Sequence, residues 1–193
     1  MLTSATAAVT VLSQLDGELV VSANGFLSRA ACAAGDRPEN FYMIGSMGLA
    51  GAIGLGLALA QPGRGVVVID GDGNLLMGLG CLPLIAERAP RRFLHVVFDN
   101  GLYASTGGQR SIADAVDLAA IAAAAGYQHV RTVDDEAQLG RAVPQLLRVV
   151  GPAFLRVKVA DRDAQPGPRV PHEPERIAER FRQAIADRVV AGA

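Results

Sequence analysis

The chain of 193 residues has no tryptophan, 2 cysteines, 3 histidines and only 19% charged residues. Cys32 and Cys81 stand alone and far apart, so the sequence carries neither a disulfide framework nor a CxxC metal site, and nothing in it would ligate an iron–sulfur cluster. Both read as small buried residues. A formal net charge of −1 leaves no basic footprint for nucleic acid. His95 falls inside an apolar run and reads as core, and His129 and His172 read as surface residues. The apolar run Gly48 to Ala60 is too short to span a bilayer, which takes about 20 residues. Met1-Leu2-Thr3 has no basic segment of a secretory signal, so a cytoplasmic location is expected.

Apolar residues are plentiful, at 50% of the chain, and they come in alternating patterns. Short β-branched runs at 18–22, 66–70, 93–98, 128–133 and 153–159 read as buried strands, with a short extended entry at 41–44. Between them lie helical patterns at 3–15, 28–34, 48–60, 75–88, 117–125 and from Asp134, as cap, to about 150. Gly126 is placed to stop the fifth, at 117–125. This order predicts an α/β protein, a three-layer α/β/α sandwich around a mostly parallel sheet of five or six strands. Residues 1–160 form that domain, and 161–193 form a proline-rich tail carrying a charged helix, Glu175 to Val190, away from the sheet. The helix at 48–60 has almost no polar residue on any face, so it is expected to be buried all round, inside the sandwich or partly by another subunit.

Chemistry concentrates in Gly71-Asp72-Gly73-Asn74 and in Asp99-Asn100, which lies a spacer of 25 residues beyond Gly73. Two parallel strands deliver both segments to one carboxyl edge of the sheet, where ligands bind in open α/β folds. Gly71 and Gly73 let backbone approach an anion, and Asp72 and Asn100 supply the oxygen donors that a hard cation such as Mg²⁺ takes alongside phosphate and water. Asn74 sits where a helix cap or phosphate donor is expected. The loop from Gly101 to Ser111, rich in Gly, Ser and Thr, is expected to stay mobile until a ligand orders it.

With Gly45-Ser46-Met47-Gly48 upstream and Ser105-Thr106-Gly107-Gly108-Gln109 downstream, these segments resemble the diphosphate-binding domain of thiamine-diphosphate enzymes. The likeness is to the phosphonopyruvate and sulfopyruvate decarboxylase branch and runs from about Glu18 to Lys158, including Asn24-Gly25-Phe26 and Asp36-Arg37-Pro38-Glu39-Asn40. It implies thiamine diphosphate and Mg²⁺ as cofactors, the metal being held by Asp72, Asn100 and the carbonyl of Leu102. Asn24, Gly25, Phe26, Ser46, Gly71, Gly73, Asn74, Tyr103, Ser105 and Thr106 would surround the cofactor. Met47 would wedge beneath it to bend its two rings together, and the Gly45 carbonyl would accept from the pyrimidine amino group. Without the resemblance, Met47 reads as core filling, Asn24-Gly25 as a turn, Ser105 and Thr106 as caps, and Tyr103 as an interface residue.

The resemblance further implies a two-chain enzyme. A chain of 193 residues leaves no room for the pyrimidine-binding domain that carries the family's glutamate, so a separate chain of that kind is expected, in a heterotetramer of two plus two. Decarboxylation of a small 2-oxo acid is the implied reaction. A carboligating subunit and a non-catalytic nucleotide- or phosphate-binding module are the alternatives. Tyr103-Ala104 stands where the phosphonopyruvate branch has a His-Asp pair, which leans toward sulfopyruvate-like or unassigned substrates. Arg29, Arg37 and Arg110 flank the proposed cofactor loops and are the candidate partners for an anionic substrate tail.

Overall fold

A computed structural model of the chain describes residues 2–160 and 167–190. Its six-stranded sheet is formed by β1 (Leu19–Ser22), β2 (Asn40–Tyr42), β3 (Val66–Gly71), β4 (Arg92–Asp99), β7 (His129–Val133) and β8 (Gly151–Lys158), in the order β2-β1-β3-β4-β8-β7. Every pairing in it is parallel. Val66 to Ile69 and Phe93 to Phe98 are buried throughout, as expected of central strands covered on both faces.

Helices α1 (Ser4–Leu12), α2 (Phe26–Ala34) and α7 (Glu136–Arg148) cover one face, and α3 (Ala50–Ala60), α5 (Cys81–Arg88) and α6 (Leu118–Ala124) cover the other. The connection leaving β1 therefore crosses one face, while that leaving β3 crosses the opposite face. Adjacent strands whose connections part in this way open a crevice at their carboxyl ends.

Several expected elements differ. The helix expected at 75–88 is two: α4 (Asp72–Met77) begins three residues earlier, and the chain breaks at Gly78-Leu79-Gly80 before α5. Gly78, at the break, has no room for a side chain, since a Cβ there would lie 2.0 Å from the Gly48 carbonyl oxygen. The first helix ends at Leu12 rather than Leu15, and Asp135 rather than Asp134 caps α7, accepting from the Gln138 N–H at 2.7 Å. Gly126 does terminate the α6 segment, with φ 107°.

Helix α3 is not buried all round. Gly51, Gly54, Leu55 and Ala58 face the sheet, but Ile53 and Leu59 are 37% and 51% exposed. The tail, of which 161–166 lie outside the described residues, does not lead its helix away. Helix α8 (Pro174–Val190) returns to the edge strand: Phe181 packs on Phe41 with ring centroids 5.4 Å apart, and Ile177 and Ala184 are buried. Cys32 and Cys81 are half-buried free thiols. Burial first, and then the charge of Asp70, pushes the Cys81 thiol up to about 11. Among the described residues, no helix is long and apolar enough to cross a membrane.

Candidate thiamine-diphosphate site

The crevice between β1 and β3 opens into a cavity of about 420 Å³, within the range of small-molecule sites. Asn24 and Phe26 line it from beyond β1, Gly71 to Asn74 from beyond β3, and Asn100, Leu102, Tyr103 and Ser105 from beyond β4; Met47 lines it as well.

Asp72 is the first residue of α4 and is 2% exposed. Burial pushes its carboxyl above the ordinary value; a hydrogen bond from the Ser111 hydroxyl counteracts this, and the charge of Asp99 adds to it. A carboxylate whose charge is costly to bury alone is a favourable place for a cation. Asn100 accepts from the Leu102 N–H through Oδ1 at 3.0 Å, which holds its amide at the cavity wall. Asp99 turns the other way and is sequestered by Arg156 Nε at 2.7 Å and Lys158 Nζ at 3.0 Å. Of the Asp-Asn pair, only Asn100 lines the cavity.

Asn74 lies within α4 rather than at its cap and ties three loops together. Its Oδ1 accepts from the Gly48 N–H at 3.1 Å, and its Nδ2 donates to Asn24 Oδ1 at 3.1 Å. Met47 is thus held beside the loop after β3. Ser46, just before it, has φ 58°, a left-handed conformation uncommon outside glycine. Gly73 is required by contact, because a Cβ there would lie 2.4 Å from the Tyr103 ring. Gly25, with φ 81°, would place a Cβ 3.0 Å from Ser105 Oγ.

The loop from 101 to 111 is built rather than open. Strands β5 (Leu102–Tyr103) and β6 (Gln109–Arg110) pair antiparallel, and the Ser111 N–H donates to the Gly101 carbonyl at 2.8 Å. Thr106 turns toward this hairpin, its hydroxyl within 3.2 Å of the Tyr103 carbonyl and 3.0 Å of Gln109 Oε1, one of which accepts its single proton, and it does not line the cavity. Gly45 and Ser46 line a neighbouring depression of about 220 Å³ with Ile44, Ile53 and Ile177 instead. None of the three candidate arginines lines the main cavity: Arg37 donates to the Glu18 carbonyl, Arg110 pairs with Asp114, and Arg29 lies over the Phe26 ring.

Sequence reasoning missed Ser111 and Gly78, whose roles arise from contacts with residues remote in sequence. It also missed the buried pair beneath the loop, where Asp70 accepts from the Gly71 N–H at 2.8 Å and from His95 Nε2 at 2.9 Å.

The donor set suits a hard cation shared with a phosphate. Asp72 and Asn100 offer oxygen only, and among the described residues no three His, Cys, Asp or Glu side chains cluster to hold a metal without help. Residues 25–157 match the family described as thiamine pyrophosphate enzyme, C-terminal TPP binding domain. Phosphonopyruvate decarboxylase of Streptomyces hygroscopicus is 41% identical over 180 residues, 91% of this chain and 45% of that protein. The chain therefore spans under half the length of that relative. Sulfopyruvate decarboxylase subunit beta of Methanothermobacter thermautotrophicus is 44% identical over 167 residues, 86% of each chain. Benzoylformate decarboxylase of Polynucleobacter necessarius, at 18% identity, shares the fold with a TM-score of 0.72 over 86% of this chain and 34% of its own. The chain belongs to the thiamine pyrophosphate enzymes, as a C-terminal TPP-binding domain of the phosphonopyruvate and sulfopyruvate decarboxylase branch.

Proposed function

We propose that the chain is the diphosphate- and Mg²⁺-binding subunit of a two-chain, thiamine-diphosphate-dependent decarboxylase of a small 2-oxo acid, of the sulfopyruvate or phosphonopyruvate kind. The observation that carries this reading is the placement of a buried carboxylate, Asp72, and an amide, Asn100, on one cavity at the sheet's switch point. The near end-to-end match to a sulfopyruvate decarboxylase subunit beta supports it. Within that reading, Tyr103-Ala104 in place of a His-Asp pair leans toward sulfopyruvate-like or unassigned substrates.

When bound, thiamine diphosphate supplies a nucleophilic carbon and an electron sink for the loss of carbon dioxide. This chain's residues bind and orient it. Asp72, Asn100 and the Leu102 carbonyl would hold Mg²⁺, a hard cation that takes oxygen donors. Asn24 and the backbone at Gly25 and Gly73 meet the diphosphate, Asn74 fixes the loops that carry them, and Met47 presents an apolar support beneath the rings. Tyr103 and Ser105, on the hairpin, close the cavity against water.

Active sites of this reading need the pyrimidine-binding chain. Ile44 and Met77 are 68% and 61% exposed on either side of the Gly45–Gly48 loop, and Leu49 and Ile53 extend the same apolar ground. A face of this kind beside the cofactor loop fits the separate chain, in a two-plus-two assembly. A cytoplasmic location belongs to the same reading and accords with two unpaired thiols. Carboligation is not favoured, since the relatives of highest coverage are decarboxylases. A non-catalytic phosphate-binding module accounts less well for the family match.

The test is Asp72→Ala in the presence of the partner. The variant should retain the unliganded melting temperature, lose Mg²⁺-dependent binding of thiamine diphosphate in calorimetry, and consume no 2-oxo acid. Full activity in that variant would overturn the assignment.

A further inference from the structure

We propose that Ser111 is a positioning residue for the metal: its hydroxyl anchors the Asp72 carboxylate and couples metal capture to the hairpin that closes the cavity. The inference deepens the proposed function and rests on its reading of Asp72 as a ligand.

Ser111 lies 39 residues from Asp72 in sequence, yet its hydroxyl donates to Asp72 Oδ2 with both side chains buried. A serine hydroxyl has one proton. Here the Ala113 N–H donates to the same Oγ at 3.3 Å, which orients the hydroxyl and directs its proton to Asp72. One carboxylate oxygen is thus pinned, and the group cannot turn freely to chelate through both. That suits Mg²⁺, which takes single oxygens in a tight octahedron, better than Ca²⁺, which accepts bidentate carboxylates.

The same residue closes the hairpin. Its N–H donates to the Gly101 carbonyl at 2.8 Å, directly after β6, so the base of the loop and the carboxylate share one anchor. The hairpin carries Tyr103 against Gly73 and Ser105 against Gly25. A cation that fixes Asp72 therefore also holds the two side chains over the cavity.

The measurement is Mg²⁺ and Ca²⁺ affinity of the chain in complex with its pyrimidine-binding partner and with thiamine diphosphate present, read by calorimetry, together with amide exchange over residues 101–111. Ser111→Ala should weaken Mg²⁺ binding about 10- to 100-fold, the usual effect of removing a partner of a metal ligand. Ca²⁺ binding should fall less, and metal-induced protection of the hairpin should disappear. Ser111→Thr, which keeps the hydroxyl, should restore Mg²⁺ binding. If the alanine variant does not fold, Ser111→Cys, a near-isosteric weaker donor, should show a partial loss. Unchanged Mg²⁺ affinity and unchanged preference over Ca²⁺ in the alanine variant, or in the cysteine variant where the alanine one does not fold, would overturn the inference. Asp72→Ala separates the two readings. If it abolishes Mg²⁺ binding while Ser111→Ala does not, only the Ser111 role fails; if neither matters, the metal site itself is wrong.

Discussion

Gly78 and Gly48 meet backbone to backbone, and at the scale of single residues this contact shapes the site as much as any charged group. The obstacle to a side chain on Gly78 is a carbonyl oxygen, which cannot swing aside as a side chain can. Gly78→Ala should push the Met47-Gly48 loop off α4 and stretch the bond from the Gly48 N–H to Asn74. Overpacking of this kind costs about 1–3 kcal/mol. Urea unfolding should register that loss, and the Michaelis constant for thiamine diphosphate should rise with it; a variant matching wild type in both would show that the loop relaxes freely. Asp72, Asn74 and Asn100 were legible in the sequence because a strand, a glycine turn and an oxygen-bearing side chain are neighbours along the chain. Ser111 and Gly78 were not, since their partners come from other loops.

Among the elements, α8 shows how a tail that reads as detached becomes part of the domain. Its apolar residues Ile177, Phe181 and Ala184 cover the edge strand, and Arg64 donates to the Ala184 carbonyl at 2.8 Å. At its start, Asp36 accepts from His172 Nε2 at 2.8 Å and from Arg180 Nη2 at 3.0 Å, and from the Tyr42 hydroxyl at 3.0 Å. Burial opposes ionisation of Asp36, but the hydrogen bonds from His172, Arg180 and Tyr42 outweigh it and hold the carboxyl below its ordinary value of 3.8. The folded pKa is below the unfolded one, so this stabilisation is present above the unfolded value and is lost as pH falls through the folded value. Asp36→Asn should therefore be less stable than wild type near neutral pH, with the gap in melting temperature closing on acidification below about pH 4. A gap independent of pH would exclude Asp36 as the acid-sensitive fastening. The sequence pattern showed an amphipathic helix here, but not its docking site, because the hub that receives it is assembled from residues far apart in the chain.

On the scale of the whole molecule, exposed Ile44, Leu49, Ile53 and Met77 form an apolar face beside the Gly45–Gly48 loop, which the proposed second chain would cover. Purified alone, the chain should show no turnover of 2-oxo acid and only weak thiamine diphosphate binding, and a pyrimidine-binding chain should restore both. Robust activity of the lone chain in a steady-state assay would rule out the two-chain reading. The parallel sheet, its layers and the glycine turn that carries Asp72 followed from sequence alone, because β-branched runs, helical periodicity and glycine turns act between near neighbours. Tertiary structure alone decided that Asp99 turns to Arg156 and Lys158, that Ser111 anchors Asp72, and that one face of α3 stays open. Those outcomes depend on loops from different strands converging at one sheet edge, and on how far the chain's own helices can cover its apolar surface.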